Sequence, residues 1–237
     1  MSSIISQTKI VREFSKRANS YNSYSIIQNE VAKKVAKMID GSNLNVLDLG
    51  CGSGAIYKII QDKIKLFVGV DLAENMCMLH PKDKNVTILN TSFDDKLLYK
   101  QFDSDSFDII VSSSALQWSC NRDLLYKNIL RLSNRFVFAI FTSKTFSHLH
   151  NFCNLSPLLP SRQTLMNEAK RVFKDNIEFE ILRYRLDFDN TKDLFAYIKK
   201  SGVSGGVKRL SYKEAKSLYK NYDRDFLEFE VLIISKF

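Results

Sequence analysis

The stretch Val46-Leu47-Asp48-Leu49-Gly50-Cys51-Gly52-Ser53-Gly54 constrains this chain more than any other segment. An apolar run reads as a buried strand. Three alternating glycines then turn the chain into a helix expected over Ala55-Ile56-Tyr57-Lys58-Ile59-Ile60. Glycine there lets the backbone take positive φ and lets a ligand lie against bare peptide. The following helix offers unpaired N–H groups and the positive end of its dipole. A strand, a glycine loop and a helix in that order make a nucleotide-type cofactor site.

The rest of the chain builds a sheet around that unit. Residues 1–43 read as helices, with Phe14, Ala18, Tyr21 and Ile26-Ile27 spaced like a helix face, then Val31, Val35 and Met38-Ile39 up to a stop at Gly41. Strands are expected at 44–48, 66–70, 86–90, 107–112 and 135–142, separated by helices at 54–61, 73–79, 94–100 and 123–132. Nearly continuous apolar strands alternating with helices mean a parallel sheet covered on both faces. After Thr142 the rhythm changes. Helical pieces at 145–152 and 162–174 flank a break at Pro157 and Pro160. Strand 177–188, helices 191–200 and 211–221 around the turn Gly202-Val203-Ser204-Gly205-Gly206, and a last strand 226–236 follow. Two final strands separated by a helical insertion are not a simple hairpin, so a lid above the sheet is expected. The fold class is α/β, a Rossmann-like, mostly parallel seven-stranded sheet with an α-helical lid. At 237 residues it forms one domain, with cap insertions at about 143–175 and 190–222.

Apolar residues make up 45% of the chain, enough for a full core. No run approaches the roughly 18 apolar residues of a membrane span, and no apolar segment follows the N-terminal charges as in a secretory signal. Cys51, Cys77, Cys120 and Cys153 form no C-x-x-C pair, so neither zinc nor a disulfide is expected, and a reducing cytoplasm is. The net charge of +9 favours an acidic partner by long-range steering, or reflects a lysine-rich solvated surface. The basic residues lack the interleaved aromatic clusters of a nucleic-acid platform.

A nicotinamide site wants G-x-G-x-x-G. Here the glycines read Gly50-Cys51-Gly52-Ser53-Gly54, and Asp48 before them is foreign to that fingerprint. Asp-x-Gly-x-Gly-x-Gly after the first strand resembles instead the methyltransferases that use S-adenosyl-L-methionine and release S-adenosyl-L-homocysteine. In that family the loop accommodates the amino-acid end of the cofactor. Val68-Gly69-Val70-Asp71 ends strand two with a carboxylate that can accept from both ribose hydroxyls, or alternatively cap the next helix. The resemblance places Leu72 beside it. It also places Ser92 and Phe93, after strand three, at the adenine, where many relatives carry an Asp in place of Ser92. Strand four ends Ser112-Ser113-Ser114-Ala115-Leu116-Gln117-Trp118, at the carboxyl edge where open α/β sheets bind ligands. Ser113, Gln117 and Trp118 would line the reacting end of the cofactor, although a lone Trp can equally be core.

The acceptor is signalled by the flanks. No Asn-Pro-Pro-Tyr-type motif, paired cysteines or metal cluster marks base or catechol methylation. Phe14-Ser15-Lys16-Arg17-Ala18-Asn19-Ser20-Tyr21, with Gln28 further on, resembles the entry helix of the malonyl-carrier O-methyltransferases of biotin biosynthesis, the BioC family. Ala115-Leu116-Gln117-Trp118, the pair Leu149-His150, and Gly202-Val203-Ser204-Gly205-Gly206 with Arg209 are similar to theirs as well. That resemblance implies an acidic, malonyl-loaded acyl carrier protein as partner, and Tyr21, Arg209 and His150 as the acceptor residues. Tyr21 as helix packing and Arg209 as a surface side chain are the plainer readings. The 161–220 region holds 14 Lys+Arg against 8 Asp+Glu, which makes the cap the expected docking surface. Rival readings are a small-acid carboxyl methyltransferase of the trans-aconitate type, a nucleic-acid methyltransferase and a non-catalytic binding module.

Overall fold

The computed structural model describes residues 24–201 and 218–237. The expected entry helix around Phe14–Tyr21, the turn Gly202–Gly206 and Arg209 lie outside those residues. Among the described residues helix α1 (Ile26–Lys37) comes first and buries Ile27, Val31, Ala32, Val35 and Ala36, an apolar stripe at helical spacing. Strands β1 (Leu44–Leu49), β2 (Ile64–Asp71), β3 (Val86–Asn90), β4 (Ile109–Ser113) and β5 (Phe136–Phe141) then alternate with helices. These are α2 (Tyr57–Ile60), α3 (Glu74–Leu79), α4 (Lys96–Tyr99) and α5 (Arg122–Leu132). Helices α6 (Ser147–Phe152) and α7 (Arg162–Phe173), strand β6 (Glu178–Asp187), helix α8 (Thr191–Ser201) and strand β7 (Phe226–Lys236) complete the described chain.

The seven strands form one sheet in the order β3-β2-β1-β4-β5-β7-β6. β1 pairs in parallel with both β2 and β4, and β7 alone runs antiparallel, between β5 and β6. The strands were readable because both faces are covered. Every residue of Phe136–Phe141 is buried, and successive residues enter opposite cores. Val137 and Ala139 join the α1 core with Val31, Val35 and Phe229. Phe136 and Phe138 join the α5 core with Tyr126 and Phe173.

The helix expected over 162–174 as part of a cap buries Leu165, Ala169 and Phe173 in that second core, and Arg122 on α5 pairs with its Glu168 at 2.6 Å. It therefore acts as a layer helix beside α5. Of the second cap segment, Leu194, Tyr197, Leu218 and Tyr222 are buried in the α1 core. Among the described residues no helix is long and apolar enough to cross a membrane.

The topology fixes where a ligand can lie. The chain steps outward from β1 through β2 to β3, then returns to place β4 on the other side of β1. Open sheets of this kind have a crevice at the carboxyl ends where the direction reverses. Here that point lies between β1 and β4, directly over the glycine loop.

Candidate cofactor site

The loop leaving β1 is tied to β2. Gly50 N and Cys51 N both donate to Val70 O, at 2.7 and 3.0 Å. Gly50 has φ +82°, and a Cβ there would collide with that of Ala115 after β4. Glycine is thus required by both backbone and neighbour. The helix expected from residue 54 is shorter than the pattern suggested. Gly52 and Gly54 have φ of +54° and +82°, so regular helix begins only at Tyr57. A four-residue helix contributes little dipole, and the loop's own peptide groups form the cradle instead.

This loop forms one wall of an open cleft at the carboxyl end of the sheet. Asp48, Gly50, Cys51 and Gly52 line it from β1 and the loop. Asp71 and Leu72 line it from the end of β2, Ser92 and Phe93 from the end of β3, and Ser113 and Trp118 from the end of β4.

Asp71 is the busiest of these groups. Its Oδ2 accepts from Gly52 N at 2.9 Å and its Oδ1 from Ala73 N at 2.8 Å. The carboxylate thus clamps the glycine loop and also makes the helix-entry contact the sequence allowed. Each oxygen retains acceptor capacity toward the cleft. Burial raises its pKa, against the lowering effect of its backbone donors Ala73, Gly52 and Leu72. Asp48 is 1% exposed, and its Oδ1 has no hydrogen-bond partner among the described residues. Burial, and secondarily the charge of Asp71, push its pKa up to about 8. Burial thus favours the protonated form of Asp48 near neutral pH, and a neighbouring cation would favour the carboxylate.

Other residues were expected here and stand elsewhere. Gly54 is not on the wall. A Cβ there would lie 2.9 Å from His80 Nε2 and 2.8 Å from Pro81 Cδ, so the missing side chain lets the loop pack on the segment after α3. Gln117 is also off the wall. It is buried, and its Nε2 donates to Ser114 O at 2.7 Å, supporting a residue at φ +63° that does line the cleft. Ser92 Oγ accepts from Asp94 N at 3.1 Å, so the hydroxyl also shapes its own turn. The Phe93 ring edge lies over Gly50, and Tyr99 OH donates to Phe93 O at 2.5 Å. His150 is not among the lining residues. It stands on α6, where burial lowers its pKa against the opposing charge of Glu228. Tyr21 and Arg209 lie outside the described residues.

The cleft also has lining residues that sequence reasoning passed over. Gln28, Asn29 and Ala32 come from α1, Met76 from α3, and Ser114 and Ala115 from the loop after β4. The small-residue run Ser112–Ala115, directly opposite three glycines, was the available signal for the last two. The donor set suits S-adenosyl-L-methionine: a carboxylate beside bare glycine peptide, a second buried acid awaiting a cation, and apolar walls from Leu72, Met76 and Phe93.

Comparison with known proteins agrees with this geometry. A malonyl-[acyl-carrier protein] O-methyltransferase of Bacillus cytotoxicus is 24% identical over 94% of this chain and 86% of its own length. The protein of that name from Haemophilus influenzae is 27% identical over 84% of this chain and 79% of its own. Among solved structures, a methyltransferase of Thermotoga maritima, titled as S-adenosylmethionine-dependent and possibly acting on histamine, matches with a TM-score of 0.56 at 15% identity. That match covers 96% of this chain and 99% of the other, and it supports the fold. The family model described as methionine biosynthesis protein MetW matches residues 29–156, from α1 through α6. With its sheet order, glycine loop and strand-end acids, the chain belongs to the MetW family and is a class I S-adenosylmethionine-dependent methyltransferase.

Proposed function

We propose that this protein methylates the free carboxylate of a malonyl thioester carried by an acyl carrier protein, an early step of biotin synthesis. The observation that carries this reading is the span of the likeness. Relatives named for that reaction align over 94% of the chain, beyond the cofactor loop that all such enzymes share. The family description names methionine biosynthesis, and the acceptor reading rests on the curated relatives.

S-adenosyl-L-methionine supplies an electrophilic methyl carbon on a positively charged sulfur. Asp71 would accept from the ribose hydroxyls, Asp48 would face the ammonium group of the amino-acid end, and Phe93, Leu72 and Met76 would enclose the base. The acceptor needs little activation. A carboxylate has a reference pKa near ~4 and is already ionised at neutral pH. No general base is required, and the protein's task is to align the acceptor oxygen and exclude water. Tyr21 and Arg209 are assigned to the acceptor, Arg209 as a forked donor that leaves one carboxylate oxygen free to react. His150 is assigned to the acceptor side as a neutral imidazole, in keeping with its burial.

The carrier is proposed to be acidic and to dock on the basic cap, with the +9 charge raising the association rate. A cytoplasmic location follows from that partner. The test is genetic. A biotin-requiring strain lacking its malonyl methyltransferase should grow with this gene and stop growing when the gene carries Asp71→Ala. Absence of growth with the unaltered, expressed gene would contradict the reading.

A further inference from the structure

Three polar atoms in the wall of the cleft are closed to solvent and have no hydrogen-bond partner among the described residues. They are Asp48 Oδ1, Gln28 Oε1 and the indole Nε1 of Trp118. They come from three separate elements: β1, α1 and the 3₁₀ turn Leu116–Trp118. Buried polar groups are nearly always paired, and each exception calls for a ligand or a reason. Three exceptions on residues that line one cleft point to a ligand that supplies two donors and an acceptor when it settles there.

Asp48 and Trp118 were expected at the cofactor from the sequence. Gln28 was seen only as part of a flanking pattern, and its position gives it a role. Two groups of lining residues lie on opposite sides of β1. Asp71, Leu72, Met76, Ser92 and Phe93 belong to the ends of β2 and β3 and to α3, on one side. Gln28, Asn29 and Ala32 belong to α1, which packs against β4 and β5 on the other. On the cofactor reading given above, the ribose lies at Asp71 and the base beyond it. The amino-acid tail therefore falls on the α1 side. That tail ends in an ammonium group, which needs several acceptors, and Gln28 Oε1 is an unused acceptor on that side.

We propose that Gln28 is a cofactor-specificity residue whose amide oxygen, together with Asp48, receives the α-ammonium group of the cofactor's amino-acid tail. A hydrogen-bonding site of this kind rejects ligands that lack the partner group, because its own buried atoms are then left unpaired. The cleft would thereby prefer S-adenosyl-L-methionine and its product over nucleosides without the amino acid.

Calorimetric titration of the ligand-free protein with S-adenosyl-L-homocysteine and with 5′-methylthioadenosine, which lacks the tail, separates the possibilities. Gln28→Leu should weaken the first about tenfold or more and leave the second within about twofold. Gln28→Glu, an acceptor-only and anionic side chain of the same shape, should hold or improve binding of the first. Equal losses for both ligands in Gln28→Leu would make the side chain a support of the cleft and overturn the proposal. So would a Gln28→Glu protein that loses S-adenosyl-L-homocysteine as severely as Gln28→Leu, because the facing group would then be the tail's carboxylate. A wild-type protein that binds S-adenosyl-L-homocysteine and is unmoved by either substitution fails this proposal alone. A folded wild-type protein that binds neither ligand fails the cofactor reading itself.

Discussion

Replacing Asp48 with Asn should make the ligand-free protein more stable as pH rises, relative to wild type. The buried carboxyl titrates at about 8 in the fold and at an ordinary 3.8 in a solvated chain. Between those values the folded protein holds a proton that the unfolded chain has released. Wild-type stability therefore falls with increasing pH, by about 1.4 kcal/mol per unit once pH is well above the unfolded value. Below the unfolded value both states carry the proton and this loss is absent. From pH 5 to pH 8 the difference amounts to about 3–4 kcal/mol, and it is a large part of a typical domain's stability. Asn cannot ionise, so its unfolding free energy lacks this slope, although its buried amide still lacks a partner. Urea unfolding at several pH values, followed by circular dichroism, gives both curves, and subtracting them cancels the titrating groups that do not feel Asp48. The Asn variant should gain on wild type steadily across that range. A difference that stays flat within about 1 kcal/mol would refute the claim that burial favours protonated Asp48 near neutral pH. With a cationic ligand bound Asp48 is ionised in both states across that range, so this slope disappears for wild type. Binding near pH 7 should release close to one proton, measurable as a buffer-dependent binding heat, and Asp48→Asn should release none.

Other substitutions probe the loop and the core. Gly50→Ala meets both a positive φ and the Ala115 side chain, so it should lose cofactor binding by calorimetry and lower stability by about 1–3 kcal/mol in denaturant. Phe138→Ala removes a ring that is fully buried and stacked 4.7 Å from Phe136, and should cost about 3–5 kcal/mol of unfolding free energy while leaving cofactor affinity nearly unchanged. Gln117→Leu removes the donor to Ser114 O without touching the cleft wall. It should weaken cofactor binding only a few-fold in a titration, whereas a residue in direct contact with a charged ligand loses more.

Sheet and site were legible to different depths. The central strands could be read because parallel strands buried on both faces are short continuous apolar runs, and Val86–Asn90 and Phe226–Lys236 fall where the pattern put them. Asp48, Gly50, Gly52 and Asp71 could be placed on the cleft wall because a strand end and a glycine loop leave few directions to face. Gly54 and Gln117 stand off the cleft wall, and a related reason hid that from the sequence. Spacing reports that a side chain is small or polar near the site, and it cannot tell the cleft side from the side facing His80 or Ser114. Helix α7 looked like part of a cap because it follows a proline break, yet Leu165, Ala169 and Phe173 carry it into the core beside α5. Gln28 was invisible as a site residue. A polar residue near the start of an amphipathic helix is ordinary until the absence of a partner for its buried oxygen is known.

The acceptor remains the centre of the functional account, and one measurement addresses it directly. Purified protein, S-adenosyl-L-methionine and malonyl-loaded acyl carrier protein are incubated, and the intact carrier is weighed by mass spectrometry. A mass increase of one methyl group on the malonyl carrier, absent from an acetyl-loaded carrier without a free carboxylate and abolished by Asp71→Ala, is the result the account predicts. An unmodified malonyl carrier, in a preparation that binds S-adenosyl-L-homocysteine, would contradict it.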